Sequence, residues 1–334
     1  MRSASARGIA AAALAALATA VPAGGANLGS AGRPAAADTP SWSGGTFRTS
    51  TGESVTVHVS TTYPAEQVAP QAWAEFFAGL PHGSELAAVV VRVAPPAEVA
   101  TLCGASSLGC YFGRELVMPG EPSAGVAPEE VARHEYGHHI AATRSNPPWR
   151  AADWGPKRWA SAAGICRRSQ EGTAFPGDGG THYRLDPAEA FAEVYRVVAD
   201  QKAGITLSTW GLVDGSFYPG PAALKAVEQD IANPWSKPRT ASVRGTFRAA
   251  GPRRYLRPVT TPLDGELTAE LKLPAGRLDT LELLDAGGRV LARGLWSGTS
   301  TRTLSFVVCG QRRLSLRVTR SGAPGRFSLT YGAP

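Results

Sequence analysis

His134-Glu135-Tyr136-Gly137-His138 is the stretch whose residue types and spacing point to a specific chemistry. On a helix, residues four apart share a face, so both imidazoles can reach a single ion. Glu135 lies about 100° round from His134, beside that ion without binding it, where a carboxylate can take a proton from water. Zinc suits nitrogen and oxygen donors of this kind, and a catalytic zinc site keeps one coordination position open. The expected cofactor is therefore one Zn2+ per chain, held in part by His134 and His138, with Glu135 as general base.

Two histidines leave a third donor to be found. The metzincin pattern, with a Gly and a further His later on the same stretch, is closed because those positions are Ala141 and Arg144. The other common route places a Glu on a later helix, and Asp186-Pro187-Ala188-Glu189-Ala190-Phe191-Ala192-Glu193 offers it. With both segments, the sequence resembles the gluzincin metallopeptidases, thermolysin-like and lethal-factor-like, whose third ligand stands in a Glu-Ala-x-x-Asp/Glu stretch. The resemblance covers these two helices and their order. It implies that Glu189 is the third ligand and that Glu193, one turn on, accepts a ring N–H from a ligand histidine, fixing the tautomer that binds metal. It also implies that Tyr183 steadies the oxyanion of a tetrahedral intermediate, with His182 a competing donor. In such enzymes the substrate lies along an exposed edge strand, and Leu86–Val93 is the candidate here. Other roles stay open for both acids. Asp186 as N-cap with Glu189 three residues on is close to a capping box, and Glu193 could be a solvated helix carboxylate paired with Arg196. If Glu189 only caps, Glu193 is the substitute ligand.

These residues need two helices to carry them. The first has Pro128 in its opening turn, Glu129 and Glu130 beside the positive helix end, and Asn146-Pro147-Pro148 as its stop. The second starts at Asp186-Pro187 and runs to about Lys202, with Phe191, Val194, Tyr195 and Val198 on one apolar face and Glu189 and Glu193 on the other. Upstream, Thr46–Thr49 and Ser54–Ser60 alternate around Thr51-Gly52 as a hairpin, PQAWAEFF from Pro70 reads as an amphipathic helix, and Leu86–Val93 reads as a buried strand. The Gly- and Trp-containing region from Trp149 to about Tyr183 reads as loop, and His139 and His82 take structural roles. From Val243 the texture changes to short alternating strands (Gly265–Lys272, Thr280–Asp285, Val290–Arg293, Thr303–Val308, Leu314–Thr319, Phe327–Tyr331), the pattern of a β-sandwich.

Composition supports two exported domains. The chain has 334 residues with 43% hydrophobic and 18% charged, too apolar for intrinsic disorder. Arg2 and Arg7, the small-apolar run Ile9 to Val21, and small-residue exits at Val21-Pro22-Ala23 and Ala35-Ala36-Ala37 describe a signal peptide and leader over 1–37, cleaved near 23 or 37. No stretch is long and apolar enough to predict a membrane span. The net charge of +7 is divided unevenly, +3 over 1–37, −6 over 38–238 and +10 over 239–334. The basic half could favour an anionic cell-wall polymer, while no aromatic-interleaved basic motif of a nucleic-acid module is present. Cys103, Cys110, Cys166 and Cys309 are an even number in an exported chain, so two disulfides are expected. Cys103–Cys110 closes a short Gly-rich loop, leaving Cys166–Cys309 to tie the halves together, although three connectivities exist.

The C-terminal segment also resembles bacterial pre-peptidase C-terminal domains, through Gly265-Glu266-Leu267, the Leu283–Gly287 turn and the Gly325–Leu329 strand. That resemblance implies a docking or removable accessory role. Together these features predict an α+β zincin-like metallopeptidase domain over 38–240 followed by an all-β sandwich domain over 243–334. The expected function is a secreted zinc-dependent metallopeptidase acting on a peptide or protein substrate. Two rival readings are a non-enzymatic wall-polymer-binding protein with a structural metal, and a zinc hydrolase acting on a non-peptide amide.

Overall fold

The computed structural model describes residues 40–206 and 209–334. The signal peptide and leader expected over 1–37 lie outside the described residues. Among the described residues no helix is long and apolar enough to cross a membrane.

The N-terminal part places helices against a mixed five-stranded sheet. Its strands are β1 (Trp42–Arg48), β2 (Ser54–Ser60), β3 (Val90–Ala94), β4 (Cys110–Phe112) and β5 (Glu115–Pro119), in the order β1-β2-β3-β5-β4. β1 pairs antiparallel to β2, β2 and β5 flank β3 in parallel, and β4 turns back antiparallel along the far edge. The helices are α1 (Pro70–Gly79), α2 (Pro96–Cys103), α3 (Pro128–Ala142), α4 (Ala151–Trp154), α5 (Lys157–Ala162), α6 (Ile165–Gln170), α7 (Pro187–Lys202) and α8 (Pro221–Ala232). Each of α1, α2, α3, α7 and α8 opens on a proline, whose fixed φ suits the first helical position and whose missing N–H costs nothing there. The apolar faces of these helices and of β2, β3 and β5 close one core around Phe77, Val91, Met118, Tyr136, Trp159, Phe191 and Tyr195.

Two expectations are corrected. Leu86–Val93 is not one strand, and it is not an edge. Ser84–Ala88 forms a 3-10 turn, and β3 starts only at Val90, hydrogen-bonded on both sides by β2 and β5. The turn is held because the buried Glu85 carboxylate accepts from Gly83 N at 2.6 Å and from Arg144 Nη2 at 2.9 Å. A strand paired on both sides has no free edge for a substrate, whereas β4 has one. The region from Trp149 to Tyr183 is not plain loop either. It holds α4, α5 and α6, separated by Gly155 (φ 75°) and Gly164 (φ 66°), whose left-handed backbone lets each helix stop and restart within a residue or two. Trp159 is core, while Trp149 stacks on Trp154 at 4.6 Å.

The C-terminal part is all β. It comprises β6 (Arg239–Phe247), β7 (Arg254–Thr260), β8 (Gly265–Lys272), β9 (Thr280–Leu284), β10 (Val290–Arg293), β11 (Leu295–Trp296), β12 (Thr301–Val308), β13 (Arg313–Thr319) and β14 (Gly325–Ala333). They form sheets of order β10-β9-β13-β7 and β11-β12-β8-β14-β6. Alternate residues of both sheets, among them Leu267, Leu283, Leu316, Phe327 and Leu329, share one core, the arrangement that a sandwich requires. The β region begins at Arg239, a few residues before Val243, because β6 extends its pairing with β14 as far as Ala333. The disulfide Cys166–Cys309 joins α6 to the turn after β12, and Asp264 N donates to Ser161 Oγ across the same seam.

Candidate metal centre

α3 and α7 cross in contact, and one glycine sets how closely. A Cβ on Gly137 would stand 2.7 Å from Ala192 Cα and 3.1 Å from Ala192 O, so only glycine lets the two backbones approach this far. Tyr136 on α3 packs against Tyr195 on α7 (5.8 Å between rings) and against Phe77. Tyr195 Oη donates to Pro81 O at 2.7 Å, and Arg144, just past α3, donates to Asp230 O on α8. The crossing is thus fixed from several sides before any polar residue on it is considered.

On this crossing His134 Nε2 and His138 Nε2 stand 3.3 Å apart, and Glu189 Oε2 lies 3.2 Å from the first and 3.5 Å from the second. Donors about 2.0–2.1 Å from a tetrahedral ion are about 3.3–3.4 Å from one another, so this triangle has the size of one face of such a tetrahedron. Two imidazole nitrogens and one carboxylate oxygen meeting this closely are a donor set that fits a divalent cation. They are the three-residue group among the described residues that could hold one. His134 is buried, and His138 and Glu189 keep partial exposure, so the triangle opens to solvent on one side.

Glu193 completes His134. Its Oε1 accepts from His134 Nδ1 at 3.2 Å, which turns Nε2 toward His138 and Glu189, where loss of its proton would free the lone pair for a cation. Its Oε2 accepts from Arg196 Nη2 at 2.7 Å, and Arg196 also reaches Asp200 at 2.9 Å. The two roles open for Glu193 therefore coexist on its two oxygens, although the residue is 4% exposed and not a solvated carboxylate. Asp186 caps α7 by accepting from Ala188 N at 3.0 Å, while Glu189 turns to the histidines rather than back to the cap.

Charge follows the same geometry. Burial disfavours protonated His134, but hydrogen bonds to Glu189 and Glu193 and the charge of Glu135 outweigh it and push its pKa up to about 10. Burial disfavours the Glu189 anion too, yet the two imidazoles hold its pKa well below the usual carboxylate range. A pocket that draws positive charge onto its imidazoles in this way is one that accommodates a cation. Glu135 is buried, which raises its pKa against the pull of His134 and His138, and among the described residues its carboxylate has no hydrogen-bond partner. It faces the start of β4, where a Cβ on Gly109 would stand 3.0 Å from Glu135 Oε1. The short disulfide Cys103–Cys110 fastens that strand to α2.

Tyr183 sits in the short turn Tyr183–Leu185 that leads into α7. Burial and then the neighbouring Glu189, Glu135 and Glu193 carboxylates push its phenol far above the ordinary range, so the O–H stays protonated beside the triangle. His182 is turned aside, donating to Asp178 at 2.6 Å and stacked on Phe175. His139 is core, bonded to Glu85 O and the Tyr111 hydroxyl. Gly109 and Gly137 have no counterpart among the sequence expectations, and neither has the reach of Arg196 to Asp200, whereas the pairing of Glu193 with Arg196 was one of the two roles expected for Glu193.

No protein-family model matches the chain, and no curated protein matches it. Among solved structures, the pre-peptidase C-terminal domain of collagenase from Bacillus anthracis is 13% identical, covering 28% of this chain and 88% of that one with a TM-score of 0.25. PliG, a periplasmic inhibitor of g-type lysozyme from Aeromonas hydrophila, is 11% identical over 28% of this chain and 86% of its own, with a TM-score of 0.23. The Yersinia pseudotuberculosis-derived mitogen is 18% identical over 29% and 87%, also at 0.23. Similarity this weak assigns neither a family nor an activity.

Proposed function

We propose that this chain is an exported zinc-dependent hydrolase of peptide bonds, a gluzincin-type, zincin-like domain carrying an accessory β-sandwich. The observation that carries this reading is the triangle of His134, His138 and Glu189 donors with the unbonded Glu135 carboxylate beside it. A zinc ion held by those three residues supplies Lewis acidity toward a carbonyl oxygen and lowers the pKa of water. The chain's own groups supply the rest. Glu193 keeps the ring of His134 in the tautomer that leaves Nε2 free, and Arg196 holds Glu193 in place. Glu135, with its pKa raised by burial, accepts a proton from the attacking water and returns it to the leaving nitrogen. The Tyr183 O–H donates to the developing oxyanion.

The free edge of β4 replaces Leu86–Val93 as the place where an extended peptide adds as a further strand, since Gly109, immediately before the strand, adjoins Glu135. Two disulfides suit an oxidising compartment outside the cytosol. The net +10 of residues 239–334 supports docking of the β region on an anionic wall polymer.

The test is hydrolysis of a peptide library, with and without chelator, by wild type and Glu135→Gln. The variant should keep about one zinc per chain and lose at least about 100-fold in turnover, the scale of a positioned general base. Undiminished turnover would remove Glu135 from its role. A zinc-loaded wild type that cleaves no peptide would favour a structural metal or a non-peptide amide substrate.

A further inference from the structure

A second site lies at the seam between the two parts of the molecule. A cleft of about 650 Å³ opens between α5, α8, the connecting segment before β6 and the sandwich turns around Leu263 and Arg312. Four cations line it, Arg158, Lys237, Arg239 and Arg312, with no acidic side chain, and the terminal residue Pro334 brings one carboxylate to its wall. Arg158 leans on the buried Asp230 at 3.2 Å and Arg312 on the buried Asp264 at 2.5 Å. Those pairs hold both guanidinium groups in position from behind. Lys237 and Arg239 are exposed and form no ion pair among the described residues. Two positive charges are thus left without an ion-pair partner, and cations outnumber the terminal carboxylate, in a concave surface whose low-dielectric walls strengthen their field. The half-buried Trp235 adds an aromatic wall.

We propose that this cleft binds a multiply charged oxyanion ligand, one that carries at least two phosphate or carboxylate groups. Guanidinium forks match both groups in geometry and form charge-assisted bonds with them, and a lysine adds a point charge. The volume lies in the range of pockets that enclose a small molecule or a short polymer segment. The walls come from both parts of the chain, so the ligand sits across the seam. The cleft is separate from the metal centre. α5 divides them, with Arg158 and Ser161 on the cleft side and Trp159 packed against Phe191 of α7 at 5.3 Å. The proposal therefore stands whether or not the metal centre is a peptidase.

The test is calorimetric titration of the full mature chain with three probes: sodium tripolyphosphate, trigalacturonate and neutral maltotriose. One anionic probe, or both, should bind at one per chain and weaken as salt is raised, and maltotriose should not bind. The two anionic arms distinguish a phosphate from a carboxylate source. Lys237→Glu/Arg239→Glu should weaken binding at least about tenfold, the expected scale for two lost charge-assisted contacts. Arg254→Glu/Arg326→Glu makes the same charge change outside the cleft and should leave affinity within about twofold, since screened distant charges contribute little. A milder Lys237→Gln/Arg239→Gln pair guards against misfolding and should weaken binding in the same direction. The proposal is overturned if neither anion binds, if maltotriose binds as well, or if both charge-reversed variants lose affinity equally.

Discussion

Gly137→Ala should disturb the metal centre without touching a ligand. The new Cβ would stand 2.7 Å from Ala192 Cα, 3.1 Å from its carbonyl oxygen and 3.2 Å from its Cβ. Carbon atoms in favourable contact keep about 3.5–4.0 Å, so the helices must part by roughly 1 Å at the crossing. The obstacle is backbone, which cannot turn aside as a flexible side chain does. His134 and His138 ride on one helix and Glu189 on the other, so that shift opens the triangle. Metal–ligand distances tolerate about 0.2 Å, well under the shift. Metal affinity should fall at least about tenfold, the lower bound seen when support around a ligand is lost. Stability carries two opposed terms: overpacking costs about 1–3 kcal/mol, and replacing a mid-helix glycine by alanine returns about 1 kcal/mol. The assays are competition with a chelator for the ion and urea unfolding of the metal-free protein. A variant that holds its ion as tightly as wild type, and gains about 1 kcal/mol of stability from helix propensity alone, would refute the steric reasoning.

Three further outcomes can be checked. Glu189→Ala should lower metal affinity more than Glu193→Ala, because the first removes a donor and the second only the acceptor behind His134; in thermal unfolding without metal the order should reverse, since Glu193→Ala strips buried Arg196 of a partner. Lys157 is buried between Trp149 and Trp235, and burial lowers its pKa from 10.5 to about 8. Across that window the unfolded chain binds a proton that the folded chain lacks, so stability should rise with pH from 8 to 10.5, by about 3 kcal/mol, and this increment should be missing from the pH–stability curve of Lys157→Met. Removing Cys166–Cys309, which spans 143 residues, should cost about 5 kcal/mol on chain-entropy grounds, against about 2 kcal/mol for Cys103–Cys110, which spans 7, and denaturation midpoints showing the opposite order would contradict it.

What the sequence disclosed and what it hid divide along the range of the interactions. α3 and α7 were legible because their signals are local: Pro128 and Pro187 at the first position, acids in the first turn, and an apolar face on α7. Six of the nine sandwich strands were legible from their period of two, while β6, β7 and the two-residue β11 were not. The run Leu86–Val93 misled because a short apolar stretch carries no period of its own, and what breaks it is Glu85 reaching Arg144, 59 residues away. α2 and α8 were assigned no element, although each opens on a proline as α3 and α7 do. At the metal centre the donor types were readable, but their meeting depends on Gly137 against Ala192, and Glu135 meets the sheet edge through Gly109. Contacts between elements distant along the chain leave no mark on either one alone.

The bond between Cys166 and Cys309 closes a ring that contains the whole connecting segment before β6. A protease that nicked that segment would yield two polypeptides but still one particle. Shedding the C-terminal β region would then take a reductant as well as a cut, so maturation by trimming would answer to the redox state of the surroundings and not to proteolysis alone.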